Sequence, residues 1–371
     1  MHEVIASPQE DRFVVVRPGA RGGMQIPSAM HRELADAADA RLPVPSWLAD
    51  AANTAWGINL AGHRCDRAVL VRPITRVRYS RATWEINQGC NYNCEMCYLA
   101  QRQFEGLPLG QKFRLLALLR DAGVLRLQIT GGEPLIDPHF RATYQHAYSM
   151  GMLIDILTNG SRLHQHLDLL STMPPNRVTV SLYGATAPVF DSLTRTKGSH
   201  RNTMRGLAAA KEAGVPVEIT IIITRHNAFE LDAMRATAEQ YAVAYNEFSN
   251  ISPTYQGTSD PLASQAAGFL NKSAIFKGCP AGHTFFHVDP HGNATMCKIG
   301  RENPISLMTE GLDGLLRLPA IADAQMLRTG GCSGCALSAT CRVCRPLAKA
   351  YQAAEAPLES YCQHGDKEIT V

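Results

Sequence analysis

The chain has 371 residues, 45% of them hydrophobic, which is enough for a sizeable core in one large domain or two smaller ones. The formal net charge is +3 and the charges form no long block of one sign, so they give no case for binding nucleic acid or a membrane surface. No run of about eighteen apolar residues occurs and the N-terminus lacks a basic and apolar signal sequence, so we expect a cytoplasmic protein whose cysteines bind metal rather than form disulfides.

Residues 1–80 predict a small α+β region. The pattern indicates strand, turn, strand, helix and helix, in that order, at 12–17, 18–23, 24–27, 28–39 and 45–56. Ser28 is the expected N-cap of the first helix. This order is similar to the winged-helix modules that recognise leader peptides in many peptide-modifying enzymes. The alternative is an extension that only packs on the next domain.

Residues 81–255 alternate between strand-like and helix-like segments. The strands are expected at 82–87, 124–130, 153–159, 177–183, 216–224 and 245–251, with helical patterns at 111–122, 139–150, 202–213 and 229–243. Such alternation predicts parallel strands joined by right-handed crossovers, and six units form a partial (β/α)6 TIM-like barrel of the α/β class. Active residues should then lie at the carboxyl ends of the strands.

Three cysteines follow the first of these strands with the spacing C-x3-C-x2-C: Cys90, Cys94 and Cys97. Three thiolates on one loop can hold three irons of a [4Fe–4S] cluster and leave the fourth iron open to a substrate or cofactor. Zinc is the alternative, because three cysteines with a water or a histidine also satisfy a tetrahedral zinc ion. The spacing alone leaves both metals open.

The second strand ends at Thr130-Gly131-Gly132-Glu133-Pro134. Its glycines allow the backbone to approach a ligand closely, and Glu133 adds a carboxylate. In this order, each behind a strand, the cysteine loop and this motif resemble the radical S-adenosylmethionine (SAM) superfamily. The resemblance implies that the three cysteines bind a [4Fe–4S] cluster whose open iron is chelated by SAM, with Gly131 to Pro134 contacting the SAM amino group.

The same resemblance implies further SAM contacts at later strand ends. Thr158 and Asn159, and then Ser181, lie where relatives use small polar side chains to bind the ribose or methionyl part of SAM. The alternative is that these segments are ordinary turns. Arg195 matches an arginine that relatives place against the SAM carboxylate, a role that suits a planar bidentate donor. Tyr98, next to the last loop cysteine, is also expected at the cofactor, although Met96 stands where the family often has an aromatic residue.

A second group of cysteines lies in residues 276–365. The spacing is C-x12-G-x4-C, a gap, C-x2-C-x5-C-x2-C, a second gap and C, at Cys279, Cys297, Cys332, Cys335, Cys341, Cys344 and Cys362. A pair of zinc sites is one interpretation. The pattern resembles the SPASM extension of radical SAM enzymes, except that the last pair before the second gap is spaced x2 rather than x3.

The SPASM resemblance implies two auxiliary [4Fe–4S] clusters, three in all with the SAM-binding one. The outer cluster would take the ligands Cys332, Cys335, Cys341 and Cys362, and the inner one Cys279, Cys297 and Cys344. Residues 271–278 contain no cysteine to complete the inner set. The inner cluster is therefore expected to have an open iron or an unusual ligand, for which Cys65 and His283 are candidates.

The resemblance implies reductive cleavage of SAM to a 5′-deoxyadenosyl radical, fed by an external low-potential donor of the flavodoxin or ferredoxin type. The expected substrate is a ribosomally made peptide, with or without a leader sequence. A small molecule such as an amino acid, sugar or cofactor precursor is one alternative, and a non-catalytic metal-binding or electron-transfer protein is another. Sulfatase maturases have an aspartate where Lys298 follows Cys297, which argues against that activity.

Two further assignments stay open at this stage. Cys65 is either a buried thiol or a catalytic hydrogen-atom donor. Tyr245, Glu247, Tyr255 and Gln256, near the last predicted strand, belong either to the substrate pocket or, as we expect, to the barrel rim.

Overall fold

Two sheets organise the protein, a four-stranded sheet near the N-terminus and a nine-stranded sheet that runs through the rest of the chain. The computed structural model describes residues 2–99, 103–270, 279–341, 343–362 and 364. The stretch 271–278, in which the sequence offers no cysteine, lies outside these residues. In the described part of the chain, no helix combines the length and apolar character needed to cross a membrane.

The first sheet has the order β3-β2-β1-β4. Its strands and the helices that accompany them are β1 (Val4–Gln9), β2 (Arg12–Val16), β3 (Gly23–Ile26), α1 (Ser28–Asp39), α2 (Ser46–Trp56), α3 (Cys65–Ala68) and β4 (Val69–Val71). The predicted strands and helices are confirmed. The sequence pattern missed β1, whose Pro8 weakens the strand signal. The predicted cap is wrong: Pro27 is the N-cap and Ser28 is already helical, too late in the chain to cap the first turn with its hydroxyl.

Contacts between this N-terminal region and the barrel are apolar, with one buried cation. Ile5, Val14 and Val16 pack in one cluster with two barrel residues, Leu125 and Leu153. Beside them the buried guanidinium of Arg72 donates to the carbonyl oxygens of Arg120 and Val124, at the end of the first barrel helix. Carbonyls at a helix C-terminus are ready acceptors for a cation, so Arg72 fixes the region to the barrel.

The predicted (β/α) alternation is confirmed. The elements are β5 (Arg81–Glu85), α4 (Leu109–Asp121), β6 (Arg126–Thr130), α5 (Phe140–Ser149), β7 (Leu153–Thr158), α6 (Leu167–Thr172), β8 (Arg177–Leu182), α7 (Ala187–Leu193), α8 (Ser199–Glu212), β9 (Glu218–Ile222), α9 (Leu231–Tyr241) and β10 (Ala244–Phe248). All neighbouring pairs from β5 to β10 are parallel. Glu85 pairs with Thr130, so β5 and β6 end at the same level and their following loops meet.

The C-terminal region joins the same sheet. Its elements are β11 (Phe285–Val288), β12 (Asn293–Thr295), β13 (Ile305–Ser306), α10 (Leu307–Leu315), α11 (Leu318–Gln325) and α12 (Arg345–Ala353). β11 pairs parallel with β5, and β12 and β13 continue the sheet antiparallel. The six predicted barrel strands are thus part of a nine-stranded sheet, because β11 covers the free edge of β5.

Candidate active site

A cavity of about 430 Å³ opens at the carboxyl ends of the barrel strands. It brings together most of the residues that the sequence predicts for the site. The lining includes the three loop cysteines Cys90, Cys94 and Cys97 with the adjacent Tyr98, both glycines Gly131 and Gly132, and the strand-end residues Thr158, Asn159 and Ser181. Strand ends are where barrel enzymes place their active residues, so the location agrees with the fold.

The residues between the cysteines tether the loop to the barrel. Tyr92 is buried, and its hydroxyl lies 2.9 Å from the Ser199 carbonyl oxygen and 3.0 Å from Thr203 Oγ1. Asn91 Nδ2 donates to Ser161 Oγ at 2.9 Å, and its Oδ1 accepts from Asn159. Side chains of the loop after β7, together with a side chain and a backbone carbonyl of α8, therefore hold the cysteine loop in place.

Gly131 and Gly132 contact this loop directly. The amide of Gly132 donates to the Asn87 carbonyl at 3.1 Å. A β-carbon at Gly132 would collide with the Gly89 carbonyl, and one at Gly131 would collide with that of Asn87. Gly131 also has φ +147°, a conformation that residues with a side chain rarely adopt. The glycines thus let the two βα loops approach each other closely beside the cavity.

Glu133 is fully buried and its carboxylate is saturated by donors. Oε1 accepts from Thr158 Oγ1 at 2.6 Å and from the Leu135 amide at 3.0 Å, and Oε2 accepts from the Asn159 amide at 2.6 Å. Burial raises the pKa of Glu133 to about 7, although these three hydrogen bonds act in the opposite direction. In this structure the side chain joins the ends of β6 and β7, and Pro134 begins the turn that follows.

Tyr98 belongs to a buried polar cluster that the sequence analysis did not identify. Its hydroxyl donates to Glu85 Oε1 at 2.8 Å. Arg301 donates two hydrogen bonds to the same carboxylate, to Oε1 at 2.7 Å and to Oε2 at 3.1 Å. Burial acts to raise the pKa of Glu85, but His287 and Arg301 outweigh it and hold that pKa well below its usual range. The available signal was a lone glutamate inside the apolar strand β5, since a buried charge needs a partner.

Two other predicted residues lie elsewhere. Arg195 has φ 47°, and its guanidinium is 3.7 Å from Glu95 with 57% of the side chain exposed. Cys65 is buried in the core of the N-terminal region, where its thiol donates to the Leu34 carbonyl and burial raises its pKa to about 11. The structure does not bring Cys65 to the cavity, so it gives no support to the hydrogen-donor hypothesis.

The C-terminal cysteines fall into two neighbourhoods. Burial raises the pKa of Cys344 to about 11, and the nearby charges of Cys297 and Cys279 act in the same direction. Burial also raises the pKa of Cys332. The positive charge of Arg345 opposes this shift, and the charges of Cys341 and Cys362 add to it. These neighbours match the inner set, and Cys332, Cys341 and Cys362 of the outer set, that the SPASM resemblance implies. His283, the other candidate ligand, has Nε2 2.9 Å from Asp323 Oδ1.

The donor sets fit iron–sulfur clusters in chemistry, because thiolates are the ligands that hold such clusters. Among the described residues, His, Cys, Asp and Glu side chains do not form a ready-made group of three that could hold a metal ion. All three loop cysteines nevertheless line one cavity together with Tyr183. Burial raises the pKa of Tyr183, and the charges of Cys94, Cys90 and Cys97 act in the same direction.

A parallel barrel with three cysteines at one strand end and paired glycines at the next defines the class of protein. Residues 84–238 match the radical SAM superfamily model, so this part of the chain is a radical SAM domain. The match supports SAM and a [4Fe–4S] cluster as cofactors, and the cysteine-rich C-terminal region fits a SPASM extension.

The relatives by sequence include a maturase and a bacteriocin biosynthesis protein. The mycofactocin maturase of Mycobacterium ulcerans is 29% identical over 236 residues, which cover 59% of this chain and 63% of that protein. The antilisterial bacteriocin subtilosin biosynthesis protein AlbA of Bacillus subtilis is 29% identical over 157 residues, 41% of this chain and 35% of that protein. The chain thus spans less than two thirds of the length of either relative.

A solved structure supports the fold over most of the chain. SuiB of Streptococcus suis, bound to its precursor peptide SuiA, superposes with a TM-score of 0.59 and 13% identity, covering 90% of this chain and 91% of that one. At this identity the likeness concerns the fold alone.

Proposed function

We propose that the chain is a radical SAM enzyme that modifies a ribosomally synthesised peptide. The observation that carries the proposal is the single cavity at the barrel mouth, shared by the three cysteines of one tethered loop, the paired glycines and the polar strand ends. The maturases and biosynthesis proteins among the relatives support a peptide as the substrate.

In this proposal Cys90, Cys94 and Cys97 hold the SAM-binding cluster. When bound, the cluster and SAM supply a one-electron cleavage to methionine and a 5′-deoxyadenosyl radical, which removes a hydrogen atom from a substrate carbon. The chain itself supplies position and exclusion of water. The tethered loop fixes the thiols, and Gly131 to Pro134 with Thr158, Asn159, Ser181, Arg195 and Tyr98 form the proposed SAM site.

The C-terminal cysteines are proposed to bind two auxiliary [4Fe–4S] clusters, the inner one on Cys279, Cys297 and Cys344. The two neighbourhoods of interacting thiols support this division. An auxiliary cluster can accept the second electron that a substrate radical loses in thioether, carbon–carbon or ether crosslinking. The first electron would come from a flavodoxin or ferredoxin type donor in the cytoplasm.

We further propose that residues 1–80 recognise the peptide, residues 81–255 perform the chemistry and residues 276–365 hold the auxiliary clusters. The order of three strands and then helices supports a recognition module. β3 is an edge strand of its sheet, and edge strands can pair with an extended peptide. A cavity of about 600 Å³ lies along α1 and the loop at residues 42–45.

The proposal is tested on protein purified and reconstituted without oxygen. Iron, acid-labile sulfide and zinc are counted per chain, and about twelve irons and twelve sulfides are expected for three clusters. The reduced protein should release 5′-deoxyadenosine from SAM. We expect a short open reading frame beside the gene, and co-expression with the peptide that it encodes should change the mass of that peptide; absence of such a reading frame would favour a small-molecule substrate. About four irons with added zinc would remove the auxiliary clusters from the proposal, and an unmodified peptide would favour a small-molecule substrate.

A further inference from the structure

Lys298 places a positive charge in the cavity wall that no neighbouring carboxylate neutralises. The side chain lines the same cavity as the three loop cysteines, although it comes from the C-terminal region. Its ammonium nitrogen lies 3.9 Å from the centre of the Tyr98 ring, a cation–π contact. Within the part of the chain that the structure describes, this ammonium makes no hydrogen bond and no ion pair.

Glu85, the carboxylate whose charge acts on Lys298, already forms an ion pair with Arg301. It is buried, and both of its oxygens accept hydrogen bonds from Arg301. One of them also accepts from the Tyr98 hydroxyl. The pair of Glu85 and Arg301 is neutral, so the Lys298 charge remains in excess. The hydrogen bond from the Tyr98 hydroxyl to Glu85 fixes the position of the Tyr98 ring, and the Lys298 ammonium lies over that ring.

We propose that Lys298 binds a carboxylate of the peptide substrate. An ammonium has three N–H donors and no acceptor, and its complement in a partly buried cavity is an anion. This inference rests on the proposed function, because the peptide must enter the cavity. The SAM carboxylate is the other source of the same chemistry, and the experiment below separates the two.

The test measures equilibrium binding to the reconstituted full chain without oxygen, so it does not depend on turnover. The probes are SAM, the short peptide encoded beside the gene, and the same peptide with every carboxylate converted to an amide. The variants are Lys298→Gln and the charge-conserving Lys298→Arg, with Lys211→Gln as a matched control on the exposed surface of α8, where Lys211 binds the Gln240 carbonyl.

Lys298→Gln should weaken binding of the unmodified peptide about tenfold or more, the range expected for a lost hydrogen bond to a charged group. Lys298→Arg should keep most of the affinity, and Lys211→Gln all of it. The amidated peptide should bind the wild type and Lys298→Gln equally. Weaker SAM binding with unchanged peptide binding would assign the carboxylate to SAM.

Three results would overturn the inference. The first is unchanged binding of both SAM and the peptide. The second is an equal loss of affinity for the acid and amide peptides in Lys298→Gln, which would show that the lysine has a structural role. The third is a change confined to the electron paramagnetic resonance spectrum of the reduced cluster, which would mean that Lys298 balances the cluster charge. Failure of the proposed function is a separate result, because it shows as a wild-type protein that releases no 5′-deoxyadenosine.

Discussion

The two cysteine-rich parts of the molecule are built differently. At the barrel mouth, three cysteines within eight residues share one loop that side chains and backbone of the neighbouring elements hold. In the C-terminal region, seven cysteines are spread from Cys279 to Cys362. From Gly330 to Cys344, the described residues form only turns and one short 3₁₀ segment. The fold therefore organises the first site, whereas we propose that the second is ordered by the metal that it binds.

The largest expected effect tests the barrel half of this comparison. Cys94→Ala removes one of three thiols from the loop and keeps the side chains of Tyr92 and Asn91 that tether it. We expect 5′-deoxyadenosine formation to be lost and the iron content to fall by about four per chain. The melting temperature should change little, because hydrogen bonds of Tyr92 and Asn91 remain. Retention of 5′-deoxyadenosine formation would show that the loop assignment is wrong.

Gly132→Ala tests the contact between the two loops. The added methyl would collide with the Gly89 carbonyl, so the cysteine loop must shift by part of an ångström or more. A displacement of about 1 Å at a reacting group can cost about 100-fold in rate, and we expect SAM cleavage to fall by that order. Gly110→Ala is the matched control, because it lies in the first turn of α4 with open space around its β-carbon. Equal activity of both variants would contradict the close approach.

Cys335→Ser tests the C-terminal half. It removes an expected outer ligand from a segment with little regular structure, so we expect a loss of iron together with a fall in melting temperature of about 5 °C. Release of 5′-deoxyadenosine should continue, since the barrel loop is intact, while formation of the peptide product should fall. A variant that lost iron but kept the wild-type melting temperature would show that this region is ordered without its metal.

The sequence predicted what depends on local spacing. The barrel strands were placed within about three residues because the alternation of apolar residues is a local signal, and the cysteine loop was placed by its motif. Contacts between distant residues could not be read in this way. Arg301 meets Glu85 across 216 residues of sequence, and β11 covers the edge of β5 across a similar separation. Each depends on how separate segments pack.

Glu133 illustrates the same limit within a recognised motif. The sequence offered its carboxylate as a group facing the ligand. The structure surrounds it with the amide of Leu135, two residues along the chain, and with Thr158 and Asn159, which lie 25 and 26 residues away and reach it only after folding. A motif thus predicts that a residue matters, while its partners depend on the tertiary structure.

The raised pKa of Glu133 predicts a pH dependence of stability. Its pKa is about 7 in the folded protein and 4.5 ordinarily, so the folded state binds the proton more tightly. The stabilisation is complete below pH 4.5 and is lost as the pH rises to about 7, with a total of ~3 kcal/mol. Glu133→Gln should remove this part of the slope. Denaturant unfolding of both proteins between pH 4.5 and 8 measures it, and parallel curves would contradict the shift.

The smallest effect is expected for Arg195→Ala. In this structure the side chain is more than half exposed and, among the described residues, forms an ion pair only with Glu95, an arrangement worth at most ~1 kcal/mol. Stability should therefore hardly change. Weakening of SAM binding should stay within about fivefold, because the cysteine loop and the paired glycines, which do not involve Arg195, provide the main part of the site. Arg201→Ala, on α8 nearby in sequence, serves as the control. The measurement is equilibrium binding of SAM to the reconstituted protein. A loss of affinity far beyond fivefold would mean that Arg195 leaves Glu95 and binds the SAM carboxylate when SAM is present. This part of the barrel site would then be completed only by its cofactor, as we propose for the C-terminal region.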